Sequence, residues 1–251
     1  METAGKQWVA KQIHSHCAIS NALTLGTDYD LTSEDKRFDF AKKNDTHFMA
    51  MMGAAHKRRS ASLKGLATLE ETKSASLESM MANLRQHHRP DQQFNHHDNR
   101  DICMHAGSLL RPSQTCGSMV VALQKDQAPK VMMTGTSAPC LSLFKAIPTD
   151  RASAFESKEV NSSLWFLFES VHRRALLDTG FRQALCASRD VLEQQLVGVY
   201  QGSLSWEDAE QHSLDWHQGW HDEAIRKPFR YSFLSRYQQY WRRLNQRDGI
   251  L

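Results

Sequence analysis

Gly117-Ser118-Met119-Val120-Val121-Ala122-Leu123 and Lys130-Val131-Met132-Met133-Thr134-Gly135 are two apolar runs, joined through Lys125-Asp126-Gln127-Ala128-Pro129. The joining residues are turn chemistry, so the pair predicts an antiparallel hairpin. Near-continuous apolarity predicts that both faces are covered, as in a sheet inside a layered sandwich. Downstream, the apolar period lengthens from 2 to 3.6 at about Ser162. Leu164, Phe168, Val171 and Ala175 define one helix face, with Gly180 as its end. Phe181, Leu185, Leu192, Leu196 and Tyr200 define a second. Ser205 and Asp208 cap a third, which carries Trp206, Leu214 and Trp220 and stops at Pro228. Tyr237, Tyr240, Trp241 and Leu244 mark a last one.

Upstream the signals are weaker. Residues 8–13 and 17–21 predict a hairpin turning at His14-Ser15-His16. A loosely built helical stretch follows over 33–90, with Ser33 as a cap and residues 68–85 as one helix bearing Leu69, Leu77, Met80, Met81 and Leu84. A Met stripe of this kind reads as core. Residues 92–100 read as a polar loop, and Ile102 to His105 as a short strand. The fold class expected is α+β, in one domain over 1–251, with a sheet and loosely helical part at 1–150 and a helical part at 160–246. No internal repeat or linker marks a boundary.

Composition narrows the function classes. The chain has 251 residues, 40% hydrophobic and 24% charged, with 31 basic against 28 acidic side chains. A net charge of +3 makes no case for nucleic acid or an anionic membrane surface. Mean hydropathy is −0.57, and no apolar run reaches the roughly 18 residues a span requires. A cytoplasmic location is expected, because no secretory signal is visible and the five cysteines, Cys17, Cys103, Cys116, Cys140 and Cys186, are odd in number and widely spaced. With no Cys-x-x-Cys pair, neither a zinc ribbon nor a redox motif is expected, and buried free thiols are.

Thirteen histidines are many. The doublets His87-His88 and His96-His97 lie in polar sequence and read as solvated loop. His217 and His221 fall four apart on a helix face, beside Asp222 and Glu223. A metal pair and ordinary helix-surface histidines are the two readings. Gln218 departs from the His-Glu-x-x-His pattern, so no metal and no cofactor is assigned. The basic run His56-Lys57-Arg58-Arg59-Ser60 reads as a solvated helix face rather than an anion site. Cys17 with His14 and His16 suggests a Cys–His dyad; strand neighbours point to opposite faces, which favours a buried strand cysteine.

Read alone, no segment is a catalytic motif. Three blocks taken together resemble the secernin and cysteine dipeptidase family. They are Glu2-Thr3-Ala4-Gly5-Lys6-Gln7-Trp8-Val9-Ala10 with Ala18-Ile19-Ser20-Asn21; Met104-His105-Ala106-Gly107, Arg111 and Gln114-Thr115-Cys116-Gly117-Ser118-Met119; and Thr134-Gly135-Thr136 through Ala138-Pro139 to Ser142-Leu143-Phe144-Lys145. The resemblance implies an αββα N-terminal-nucleophile hydrolase sandwich and dipeptide hydrolysis through an acyl-enzyme. The nucleophile in that family is an N-terminal cysteine whose own amine, of pKa ~8, takes the thiol proton.

That cysteine lies upstream of the family's Glu-Thr-Ala-Gly block, so the resemblance implies a chain that lacks the nucleophile and is inactive alone. Its partner would be a small peptide substrate, and an oligomer is open. Asn21 is either oxyanion or substrate support or an asparagine bonding its own turn. Arg111, Gln114 and Thr115 are the substrate-binding candidates, with a surface loop arginine as the other reading of Arg111. Cys116 stands where the family usually has threonine. The alternative function is a non-catalytic, secernin-like interaction protein.

Overall fold

The computed structural model describes residues 1–45, 53–89, 94, 99–108, 111–155, 163–226 and 228–250. They form two compact units, one of residues 1–75 with 99–102 and one of residues 76–98 with 103–251. The sequence offers no sign of this division.

The first unit opens with a hairpin of β1 (Glu2–Ala4) and β2 (Gln7–Ala10), and β2 pairs antiparallel with β3 (Leu31–Thr32). Gly5, at φ 60°, takes the first central position of the two-residue turn, where a II′ hairpin requires glycine. The turn thus lies earlier than expected, and residues 17–21 form no strand, contributing only an isolated bridge from Ser20 to Ala22. The carboxylate of the buried Glu2 accepts from the backbone N–H groups of Thr24 and Leu25 and from the Thr24 hydroxyl, tying the following loop to β1. Val9, Tyr29 and Phe40 make the small core.

Ser33 caps no helix, because its hydroxyl accepts from the Trp8 amide instead. Asp39 caps the short α1 (Phe40–Asn44), and α2 runs over Ala55–Glu71. The single helix expected over 68–85 is interrupted. Lys73 turns to φ 52°, and Ser76 opens a new helix, α3 (Leu77–Leu84), with a reciprocal Ser76–Ser79 capping box. Leu77 and Met81 are buried, with Met80 and Leu84 packed beside them, so this part of the stripe is core.

In the second unit the expected hairpin is present. β4 (Met119–Ala122) pairs antiparallel with β5 (Lys130–Met133), Val120 opposite Met132, and β5 pairs with β6 (Lys145–Ile147). Only one face of β4 is covered. Met119 is 57% exposed and Val121 39%, against 6% for Val120, so the expectation of two covered faces fails here. Residues 102–105 form no strand.

The helical part follows the sequence closely. It comprises α4 (Leu164–Leu177), α5 (Thr179–Leu196), a 3₁₀ turn (Val197–Gln201), α6 (Trp206–Arg226) and α7 (Arg236–Asp248). Gly180 lies in the first turn of α5 rather than ending α4, because the Asp178 carboxylate accepts from the Phe181 amide and caps there. Ser205 accepts from the Asp208 amide at the start of α6, as expected. Phe168, Val171 and Leu185 fill the core where α4, α5 and α6 meet. Among the described residues no helix is long and apolar enough to cross a membrane.

Phe168 is fully buried and Phe233 is 84% exposed. Phe168→Ala is expected to cost about 3–5 kcal/mol in urea unfolding, and Phe233→Ala within about 0.5 kcal/mol of zero.

Candidate functional site

In the second unit the residues of two sequence blocks are stitched together. The Thr115 hydroxyl accepts from the Met104 amide at 3.0 Å, and the Thr115 amide donates back to the Met104 carbonyl at 3.0 Å. Gln114 Nε2 donates to the Ser137 hydroxyl at 3.3 Å. The Ser118 amide donates to the Thr134 hydroxyl at 2.9 Å, and the Thr134 amide donates back to the Ser118 carbonyl at 2.9 Å. Thr115 thus holds the 104 and 115 segments side by side.

The Arg111 amide donates to the Ser108 carbonyl at 3.0 Å, and the Arg111 carbonyl accepts from the Gly107 amide at 3.0 Å. It is half-buried. Gly107 is required for this closeness. A β-carbon there would lie 2.8 Å from Tyr237 Cε2 and 2.9 Å from Arg111 Nη2. Burial pushes the Tyr237 phenol well above its ordinary range, with Arg111 and Arg182 opposing.

Beside Gly107 opens a cavity of about 670 Å³, lined also by Ser108, Phe233, Arg236, Gln239, Tyr240, Arg243 and Leu244. Its size is that of a small-molecule site. Two guanidinium groups line it, and the rest is apolar, amide or hydroxyl.

Asn21 belongs to the first unit. Its side-chain oxygen accepts from Arg58, which also donates to the carbonyls of Gly53 and Asn99 (2.7 Å to the latter). Asn21 ends no strand, and its side-chain oxygen also accepts from the neighbouring Ser20 hydroxyl at 3.3 Å. The basic run is likewise not simply solvated, because Arg58 makes these bonds and Arg59 Nε donates to the Ala18 carbonyl at 2.9 Å. Cys17 is exposed and outside any strand, correcting the buried strand cysteine. The His16 ring pairs with Glu70, at 2.7 Å, rather than with Cys17.

His217 and His221 do not converge. His217 is buried, not on the helix surface, and its Nδ1 donates to the Ser213 carbonyl at 2.7 Å. Burial, with the charge of Lys145 adding to it, pulls its pKa down to about 3. His221 Nδ1 instead meets the Ser170 hydroxyl at 2.7 Å. His96 and His97 lie outside the described residues.

A different group does converge. His87, Cys103, His105 and Cys140 bring one ligand atom each to within 4.8 Å of one another. His105 Nε2 lies 3.0 Å from His87 Nε2, 3.3 Å from Cys140 Sγ and 3.7 Å from Cys103 Sγ. The solvated-loop reading of His87 is thereby corrected. Burial first, then Cys103, pushes the Cys140 thiol well up, with His87 opposing. These four residues could hold a metal ion, although the sequence assigned none. Cys103-Met104-His105 is the one local signal of it, a Cys-x-His spacing; His87 and Cys140 are remote in sequence.

The turn bearing Cys140 is fixed by two arginines. Arg85 Nε donates to the Pro139 carbonyl at 2.8 Å and Nη2 to the Ser142 carbonyl at 3.1 Å, while the same guanidinium forks onto Glu193 at 2.8 and 2.5 Å. Glu193 Oε1 also accepts from the Phe144 amide at 2.7 Å. Arg189 donates to the Cys140 carbonyl. Just beyond, Lys145 is buried with its Nζ donating to the Thr134 and Leu143 carbonyls. Burial pulls its pKa down to about 7, against the opposing charge of Glu193.

No family model, curated protein or solved structure matches the chain.

Arg85→Ala leaves Glu193 buried without its charge partner, so a loss of about 3–5 kcal/mol is expected in chemical unfolding. Arg85→Met combined with Glu193→Leu is expected to cost less than the sum of the two single changes. Lys145 has a folded pKa of about 7 against an ordinary 10.5. Between those values the unfolded chain binds more protons than the folded one, so this group makes stability rise with pH from about 7 to 10.5. Lys145→Met is expected to flatten that rise, by a few kcal/mol over the window, in unfolding curves collected across it.

Proposed function

We propose that the chain carries the substrate-binding framework of an amide hydrolase of the secernin and cysteine dipeptidase kind, and that a short peptide with a free carboxylate is its ligand. One observation carries this reading: the cavity of about 670 Å³ beside Gly107, whose lining joins two arginines to apolar and amide groups. A dipeptide has the matching chemistry. Its carboxylate suits a guanidinium fork, its side chains suit Phe233, Tyr240 and Leu244, and its amide suits Gln239. Further support comes from the position of the site, since Gly107 ends the Met104-His105-Ala106-Gly107 block and Arg111 and Gln114 follow it in the same knitted framework. The αββα sandwich belongs to this proposal, and the mixture of helices with small antiparallel sheets is compatible with it.

Acyl transfer by the cysteine mechanism of that family needs a thiolate at the scissile carbonyl. Among the described residues no cysteine lines this cavity. Burial raises the Cys140 and Cys186 thiols, and Cys116 is raised by partial burial of its sulfur and by the charge of Glu169. The 251-residue chain therefore binds peptide without cleaving it.

Calorimetry with an unmodified dipeptide should show binding that weakens about tenfold or more in Arg236→Ala or Arg243→Ala, the loss of a charged hydrogen bond being roughly 1.5–3 kcal/mol. The C-terminally amidated dipeptide should bind as weakly as those variants do. Equal affinity for acid and amide, or turnover by the purified chain, would overturn the reading.

A further inference from the structure

We propose that His87, Cys103, His105 and Cys140 bind one Zn²⁺ ion in a closed, four-ligand structural site. This stands apart from the hydrolase reading, because none of the four residues lines the peptide cavity.

The first argument is distance. A tetrahedral ion with bonds of about 2.0–2.1 Å to nitrogen and 2.3 Å to sulfur sets its ligand atoms about 3.3 Å apart for N–N and about 3.6 Å for N–S. The observed N–N separation is 3.0 Å and the N–S separations from His105 are 3.3 and 3.7 Å. All four ligand atoms lie within 4.8 Å of one another. The side chains are thus close to the arrangement that an ion at their centre would impose.

The second argument is valence. Nε2 of His105 faces three partners, one imidazole nitrogen and two sulfurs. A neutral imidazole nitrogen carries either one proton or one lone pair, so it can make one of those contacts well and not three. A cation shared among all four removes the conflict, since each atom then directs its lone pair at the ion.

The third argument is burial without a ladder. Cys103, His105 and Cys140 are all buried, and residues 103–107 belong to no helix or strand. Irregular backbone inside a core needs an anchor. The four ligands come from three places: the residues just after α3, the 103–105 segment and the 138–142 turn. An ion would therefore cross-link segments that regular secondary structure does not join.

The supports of the ligands are themselves fixed. The Cys103 amide donates to the Gln86 carbonyl at 3.2 Å, which aligns the chain before His87 with the chain at Cys103. The Cys140 carbonyl accepts from Arg189. The Phe94 ring lies 4.6 Å from the His105 ring and 5.9 Å from the His87 ring, covering the imidazoles with apolar surface. Two thiolates and two imidazoles are the donor set of structural zinc. With all four positions taken by protein, no coordination site is left open for water or substrate, so the role is structural.

The test is metal analysis of the full chain purified without chelator, beside the cobalt-substituted protein. One zinc per chain is expected. Cys103→Ser and Cys140→Ser should lose it, and Cys17→Ser and Cys116→Ser should keep it. Replacing zinc by Co²⁺ in the unmutated chain should give the intense visible bands and near-ultraviolet sulfur charge transfer of a tetrahedral thiolate site. This readout needs no variant to fold. In the native protein Cys103 and Cys140 should resist alkylation until a strong chelator is added, and the chelator should lower the Tm. Metal-free protein with both thiols freely alkylated, a Cys103–Cys140 disulfide, or zinc retained in the Cys103→Ser/Cys140→Ser double variant would each overturn the proposal. Dipeptide calorimetry on the same samples separates this outcome from that of the hydrolase reading.

Discussion

The second unit depends on one buried ion pair. Arg85 leaves the end of α3 and Glu193 comes from α5, and both are spent on the same turn. The guanidinium satisfies the carbonyls of Pro139 and Ser142, and the carboxylate satisfies the amide of Phe144. Taking two charges out of water is costly unless the remaining donors and acceptors are also matched. Here they are matched by backbone groups that would themselves be orphaned in an irregular, buried turn. The pair, the turn and the helix ends are therefore acceptable only together. What they jointly position is Cys140 on one side of the turn and Lys145, at the start of β6, on the other.

The first unit repeats the arrangement on a smaller scale. A buried carboxylate, Glu2, satisfies two amides and a hydroxyl of the loop at Thr24 and Leu25. A half-buried guanidinium, Arg58, collects the Gly53 and Asn99 carbonyls and the Asn21 amide oxygen. With a core as small as Val9, Tyr29 and Phe40, this unit has little apolar surface to bury, and charged side chains bonded to backbone hold loops that packing alone would leave loose.

Much of the secondary structure is legible in the sequence. The hairpin at 119–133 and the four C-terminal helices follow from apolar period, turn residues and caps, all of which act within a few residues. The failures share a cause. Ser33 looks like a cap, but its hydroxyl is taken by Trp8, a residue from another strand. The 68–85 stripe looks continuous, but Ser76 can cap a new helix as readily as it can sit inside an old one. The apolar faces of β4 look doubly covered, yet the face bearing Met119 and Val121 is open, and what packs on a sheet face is set by distant segments rather than by the strand itself.

The candidate sites were less legible for the same reason. The block containing Thr115 gives no hint that its hydroxyl accepts from the Met104 amide. His87 reads as a solvated loop histidine, because nothing near it in sequence is a ligand. By itself the sequence determined the helix and strand segments whose signals repeat every two to four residues. The tertiary structure alone decided which distant residues meet: Arg85 with Glu193, and His87 with Cys103, His105 and Cys140. Such meetings depend on the paths of the intervening turns. A buried charge or thiol is tolerable only where those paths deliver its partner, and no local pattern records that.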